Sequence, residues 1–111
     1  MTKGKVVLVP FPFDDLSTLK VRPVVLLTDP IGEHKHIIAA FITSRPMPEP
    51  LPSDIVIGEK HPDFAITGLK VPSTMRLHRL MTIGMDMVKR DLGRISPTLM
   101  AEIRTKLLSL I

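Results

Sequence analysis

The chain has 111 residues, 44% of them apolar, with 15 Lys and Arg against 11 Asp and Glu. That size and composition suit one soluble globular domain, and a modest core. No apolar run approaches the roughly 18–20 residues of a membrane-spanning helix, and zero cysteines exclude disulfides and thiolate metal sites.

MTKGKVVLVPFPFDD begins basic and turns apolar. Pro10 and Pro12 interrupt the run and no small-residue cleavage site follows, so it reads as a strand, Val6–Val9, of a cytoplasmic protein. The two prolines withhold N–H groups on one side, which places them at an edge or outside the sheet. DDLSTLK reads as a polar loop and Pro23–Thr28 as a second strand. IIAAFIT, Ile37–Thr43, is apolar throughout and predicts a strand buried on both faces. Four prolines between 46 and 52 make SRPMPEPLPSD a stiff connection. Asp54–Ile57 is a short strand, and GEKHPD a turn. Gly68–Val71 and Leu80–Ile83 are two further strands, with a turn containing Ser73, Thr74 and Arg76 between them.

MDMVKRDLG reads as a short helix ended by Gly93. The final segment, about 96–111, predicts an amphipathic helix. Ser96 is its N-cap and Pro97 its first residue. Met100, Ile103, Leu107 and Leu110 recur at helical spacing, widened by Leu99 and Leu108. Glu102 and Lys106 form a favourable i,i+4 pair. The expected architecture is mainly β with a C-terminal helix: one domain over 1–111, a half-open barrel or sandwich over about 1–84, and the helix.

Charge is uneven. Residues 1–69 hold 7 basic and 8 acidic side chains, whereas 70–111 hold 8 and 3. A basic segment fits a polyanion partner or a plain solvated surface. Arg22 is the sharpest candidate, because Pro23 disfavours a helical conformation there and holds it extended at the mouth of a strand. A guanidinium so placed suits bidentate phosphate recognition or an ion pair with Asp14 or Asp15. Thr43 and Ser44 put hydroxyls at the end of the 37–42 run, to meet a ligand or the local backbone. Ser73 and Arg76 fit phosphate contacts or a polar turn. His34, His36, His61 and His78 lack the organised spacing of a metal site.

GKVVLVPFPFDDLSTLKVRPVVLLT, then IIAAFITS, GLKVPSTMRLHRLMTI, LGRIS and a terminal helix, in that order, resemble the PemK/MazF-type toxins of bacterial toxin–antitoxin pairs, and most of all their PemK-like branch. The resemblance covers nearly the whole chain. It implies an SH3-like half-open β-barrel with a C-terminal helix, assembled as a homodimer. It implies an endoribonuclease without metal or cofactor that cuts single-stranded RNA by attack of a ribose 2′-hydroxyl and so inhibits translation. It also implies an antitoxin that lays an extended acidic segment over the RNA groove, and operator DNA bound together with that antitoxin. The family's essential arginine falls on Arg22 and its essential Thr or Ser on Thr43. Ser17, Lys20, Ser44, Ser73 and Arg76 fall where substrate is held. Lys5 stands where the family usually has Asp. LSTL replaces a glycine-containing loop, which stiffens it. The alternative is a toxin-like barrel without catalysis, binding a protein partner as gyrase poisons do or serving antitoxin and operon control.

Overall fold

The computed structural model describes residues 2–11 and 20–111. Its strands are β1 (Lys5–Phe11), β2 (Lys20–Leu26), β3 (His36–Thr43), β4 (Asp54–Ile57), β5 (Ser73–Gly84) and β6 (Arg90–Arg94). Its helices are the single turn α1 (Phe64–Thr67) and the terminal α2 (Pro97–Ser109). The strands form one antiparallel sheet in the order β4-β5-β3-β2-β1-β6, curled into a half-barrel.

Alternation along the strands serves two cores, because successive side chains point to opposite faces. Val6, Val25, Ala40, Ile42, Ile55, Met75 and Leu77 face α2, which contributes Leu99 and Ile103. Val7, Val9, Val24, Leu26, Ile37, Ala39 and Ile83 fill the other face. The apolar run of β3 is buried on both faces except at Ile38, which is 37% exposed. Burying Leu99 and Ile103 stabilises by about 1.5–3 kcal/mol each. Ser96 caps α2 by accepting from Leu99 N at 3.1 Å, and Pro97 starts the helix as expected.

Pro10 lies inside β1, opposite Val21. The β1–β6 ladder runs only from Lys5 to Leu8, so among the described residues no strand pairs with the outer side of β1 at Pro10, where a missing donor is tolerated. Pro23 sits opposite Leu8, and the ladder from β2 to β3 stops at Val24.

Four expectations are corrected. Ser73, Thr74 and Arg76 are not in a turn: one long strand, β5, runs through them to Gly84. Residues 68–71 form no strand but follow α1, whose C-cap Gly68 takes the left-handed φ of 72°. MDMVKRDLG is a 3-10 turn, Met85–Met87, followed by β6, so the sheet extends to Arg94 and not only to about 84. Lys106 does not pair with Glu102. Its ammonium donates to Pro52 O at 2.8 Å and Asp54 O at 3.4 Å, where it satisfies backbone acceptors at the start of β4. Carbonyls fixed by the fold outcompete a carboxylate on a freely rotating, solvated side chain.

Gly68 and Gly93 explain how α1 meets the sheet. A Cβ on Gly93 would lie 2.1 Å from Ile66 O, and one on Gly68 2.0 Å from Leu92 O. Only glycine permits this backbone-to-backbone approach. At the same corner the Asp63 carboxylate accepts from Ser96 N at 2.7 Å, tying the start of α1 to the cap of α2. The N-terminal segment is held separately. Asp29 Oδ1 accepts from Thr2 N, Lys3 N and Thr2 Oγ1 at 2.9–3.1 Å.

Gly93→Ala is expected to lower stability by about 3 kcal/mol or more, because the obstructing atoms are backbone. Gly58→Ala, with nothing within 4 Å of the new methyl, is the control and should change it by under about 0.5 kcal/mol. Thermal unfolding of the two variants measures the difference. The Lys3 N–H, assisted by Thr2 and opposed by burial, holds the Asp29 carboxyl below the usual carboxylate range. A lowered folded-state pKa stabilises above that range, and the stabilisation disappears as pH falls through it. The stability gap between the wild type and Asp29→Ala, followed by denaturant titration, should therefore be constant near neutrality and close below about pH 4.

Candidate functional site

Where β2 and β3 separate beyond Val24, a cavity of about 690 Å³ opens. Its described lining includes Lys20, Arg22, Pro23, Phe41, Thr43, Ser44, Arg45, Met47, Arg76 and Arg79. The register that pairs Val24 with Phe41 brings Arg22 towards Thr43, two residues further along. Both project from the face that carries Val24, Ala39 and Ile37 inside the sheet, so the cavity is the polar mouth of the second core. Pro23, without an N–H, sits where the ladder to β3 ends.

Five of these side chains are basic and none is acidic among the described lining residues. Among the described residues Arg22 forms no ion pair; Asp14 and Asp15, its expected structural partners, lie outside them. Thr43 Oγ1 accepts from Arg45 N at 3.1 Å, which orients the hydroxyl and leaves its proton to donate. Local backbone satisfaction and ligand contact, opposed in the sequence, are thus compatible here.

Arg76 is held differently. Its Nε donates to Asp54 Oδ1 at 3.0 Å and its Nη1 to Met47 Sδ at 3.3 Å. The Asp54 side chain is fully buried, and its Oδ2 accepts from Leu51 N at 2.9 Å. Asp54 thereby fixes Arg76 and cancels much of its charge. Among the described residues the lining cations without a carboxylate partner are Lys20, Arg22, Arg45 and Arg79. His78 Nδ1 stands 4.0 Å from Asp54 Oδ1, at the rear of this pair. His61 accepts from Asp63 N at 3.0 Å and braces the turn before α1. No group of metal-ligating residues occurs among the described residues.

Of the residues singled out in the sequence, Arg22, Thr43, Lys20, Ser44 and Arg76 come together in the cavity. Ser73 does not join them. It is buried on the α2 side of β5 and donates to Val71 O at 2.9 Å, because in an extended strand its neighbour Thr74 takes the opposite face. Ser17 lies outside the described residues. Arg45, Arg79, Phe41, Met47 and the buried Asp54 were missed. Arg45 was legible as a neighbour of Thr43 and Ser44, while Arg79 and Asp54 reach the site only through the curl of the sheet. Most of the basic C-terminal third lies elsewhere, so the charge asymmetry along the chain does not map onto this cavity.

Residues 2–111 match the family described as PemK-like, MazF-like toxin of type II toxin–antitoxin systems. The chain belongs to that family. No curated protein matches it. The toxin's fold is similar to that of the Mycobacterium tuberculosis toxin MazF-mt6, with a TM-score of 0.70 and 18% identity over 95% of this chain and 93% of that one. It is similar to an endoribonuclease in complex with its cognate antitoxin from a mycobacterial species, with a TM-score of 0.68 and 16% identity over 98% and 92%. It is also similar to a chain of the MazE–MazF structure from Deinococcus radiodurans, with a TM-score of 0.68 and 18% identity over 99% and 93%.

Asp54→Ala should lower stability by about 3 kcal/mol, because it leaves Arg76 without its carboxylate in a largely buried position. The double variant Asp54→Leu, Arg76→Met should recover much of that loss, since the pair's attraction and its desolvation largely offset each other. Denaturant unfolding of the variants tests both statements.

Proposed function

We propose that this toxin is an endoribonuclease that cuts single-stranded RNA and so inhibits translation. The observation that carries the reading is the meeting of Arg22 and Thr43 in one cation-rich cavity, on neighbouring strands. A ribose 2′-hydroxyl would attack the adjacent phosphorus in line, leaving a 2′,3′-cyclic phosphate and a 5′-hydroxyl. Arg22 would stabilise the added charge on the phosphorane. Thr43 would donate to a non-bridging oxygen and hold the phosphate in line. Lys20, Ser44 and Arg45 would carry flanking phosphates, with Arg76 as a fixed wall. A guanidinium, with a pKa above about 12, is a poor base near neutrality, so Arg22 acts through charge and geometry. The chemistry asks for no metal or cofactor.

We propose further that a cognate antitoxin neutralises the protein by laying an acidic segment over the cavity, and that the two together bind operator DNA. The toxin acts in the cytoplasm, where mRNA is. It works as a homodimer, for which Ile38, Leu80, Leu108 and Leu110 offer exposed apolar surface to a second copy. The similar solved chains include toxins in complex with antitoxin, which supports the first of these statements.

Purified protein in chelator should cut a varied single-stranded RNA pool and leave the matching DNA intact. Arg22→Ala should slow cleavage by about 10²–10³, and Arg22→Lys should keep part of the rate. Thr43→Ala should slow it without altering the circular dichroism spectrum. A wild type that cuts nothing in the pool, or cuts at full rate in both alanine variants, would overturn the reading.

A further inference from the structure

β3 and β5 do not keep step. Phe41 pairs with Arg76 and the next residue of β3, Ala40, pairs with Leu80. One step on β3 thus matches four on β5, leaving Leu77, His78 and Arg79 without counterparts. Such an irregularity bends a strand and re-aims its side chains, and is common beside functional sites. Here it carries Arg79 back over the Phe41 ring, with Cζ 4.7 Å from the ring centroid. That is a cation–π distance, and Arg79 lies in the wall of the cavity that holds Arg22 and Thr43.

We propose that Arg79, supported from below by Phe41, is the stacking surface for one RNA base beside the scissile phosphate. The proposal rests on the RNA-cutting reading above and names a specificity-determining residue within it. Three observations converge. The chain has no Trp or Tyr. Phe41 is only 9% exposed, so the ring itself offers an incoming base almost no face. Arg79 covers that ring while remaining exposed to the cavity. A guanidinium is planar, weakly hydrated and able to stack on a ring on one side and a base on the other. The arginine thus extends a buried aromatic to the surface as a cationic plane. Lysine would keep the charge and lose the plane.

The test is a coupling between one base and one side chain. The RNA pool first identifies a cut sequence, and abasic riboses are then placed singly around the cut. At one flanking position the abasic substitution should slow the wild type about tenfold or more. Arg79→Lys should be slowed comparably on intact RNA, and the abasic substitution there should then cost it less than twofold. The proposal is overturned if Arg79→Lys cuts at the wild-type rate, or if the abasic penalty is equally large in both proteins at every position. Should no RNA be cut at all, the cleavage reading fails by itself. Stacking is then decided by binding of oligonucleotides carrying 2-aminopurine at each position in turn. Quenching by the wild type that is lost in Arg79→Lys supports stacking, and equal emission with both proteins overturns it.

Discussion

An odd number of residues separates the two halves of β5. With Leu77, His78 and Arg79 unpaired, the strand changes which of its faces looks at α2. Met75 and Leu77 pack in the core under α2, yet Ile83, at a position of the same parity, packs in the opposite one. A regular strand of period two would have sent all of them to a single face. This single irregularity lets a short chain curl its sheet around two small cores. Before it, β5 keeps step with β3, and Arg76 stands opposite Phe41 in the wall of the cavity. At its end, Arg79 returns to the same cavity, over the Phe41 ring.

The second constraint is electrostatic. Gathering basic side chains at one opening raises their mutual repulsion, and the fold contains it by unequal treatment. Arg76 is given a buried carboxylate, and Asp54 in turn is fixed by Leu51 N, while Lys106 from α2 grips the carbonyls beside it. Helix, proline-rich connection and site wall are therefore one braced unit. Arg22 receives no such partner among the described residues. Its position comes from Pro23 and from the parting of β2 and β3, which set it in the wall of the cavity.

Much of this was legible in order along the chain. The apolar run of β3, the Ser96-Pro97 start of α2 and the edge position of Pro10 follow from periodicity, capping and a missing donor, all local effects. The family likeness directed attention to Arg22 and Thr43, and both line one opening. The misreadings share a cause. Only the end of β5, 80–83, reads as a strand and its first part as a turn, because the irregularity between Arg76 and Leu80 breaks the alternation on which a strand is recognised. Ser73, grouped with Arg76 by the family likeness, stands three residues from it in β5, and an odd offset in a strand puts the two on opposite faces. MDMVKRDLG carries helix-like punctuation at Gly93, but that glycine serves a close backbone approach to α1 and not a helix end.

The sequence by itself determined the first four strands, the terminal helix with its cap, and the presence of an arginine held extended by the proline that follows it. These depend on interactions within a few residues. Only the tertiary structure decided that Asp54 neutralises Arg76 across 22 positions, that Lys106 serves carbonyls of β4 and its approach instead of Glu102, and that Arg79 lies on Phe41. The Arg76 and Arg79 contacts depend on sheet register and on an odd insertion, and a change of one residue in either would send those side chains of β5 to the other face, while that of Lys106 depends on how α2 packs against the start of β4.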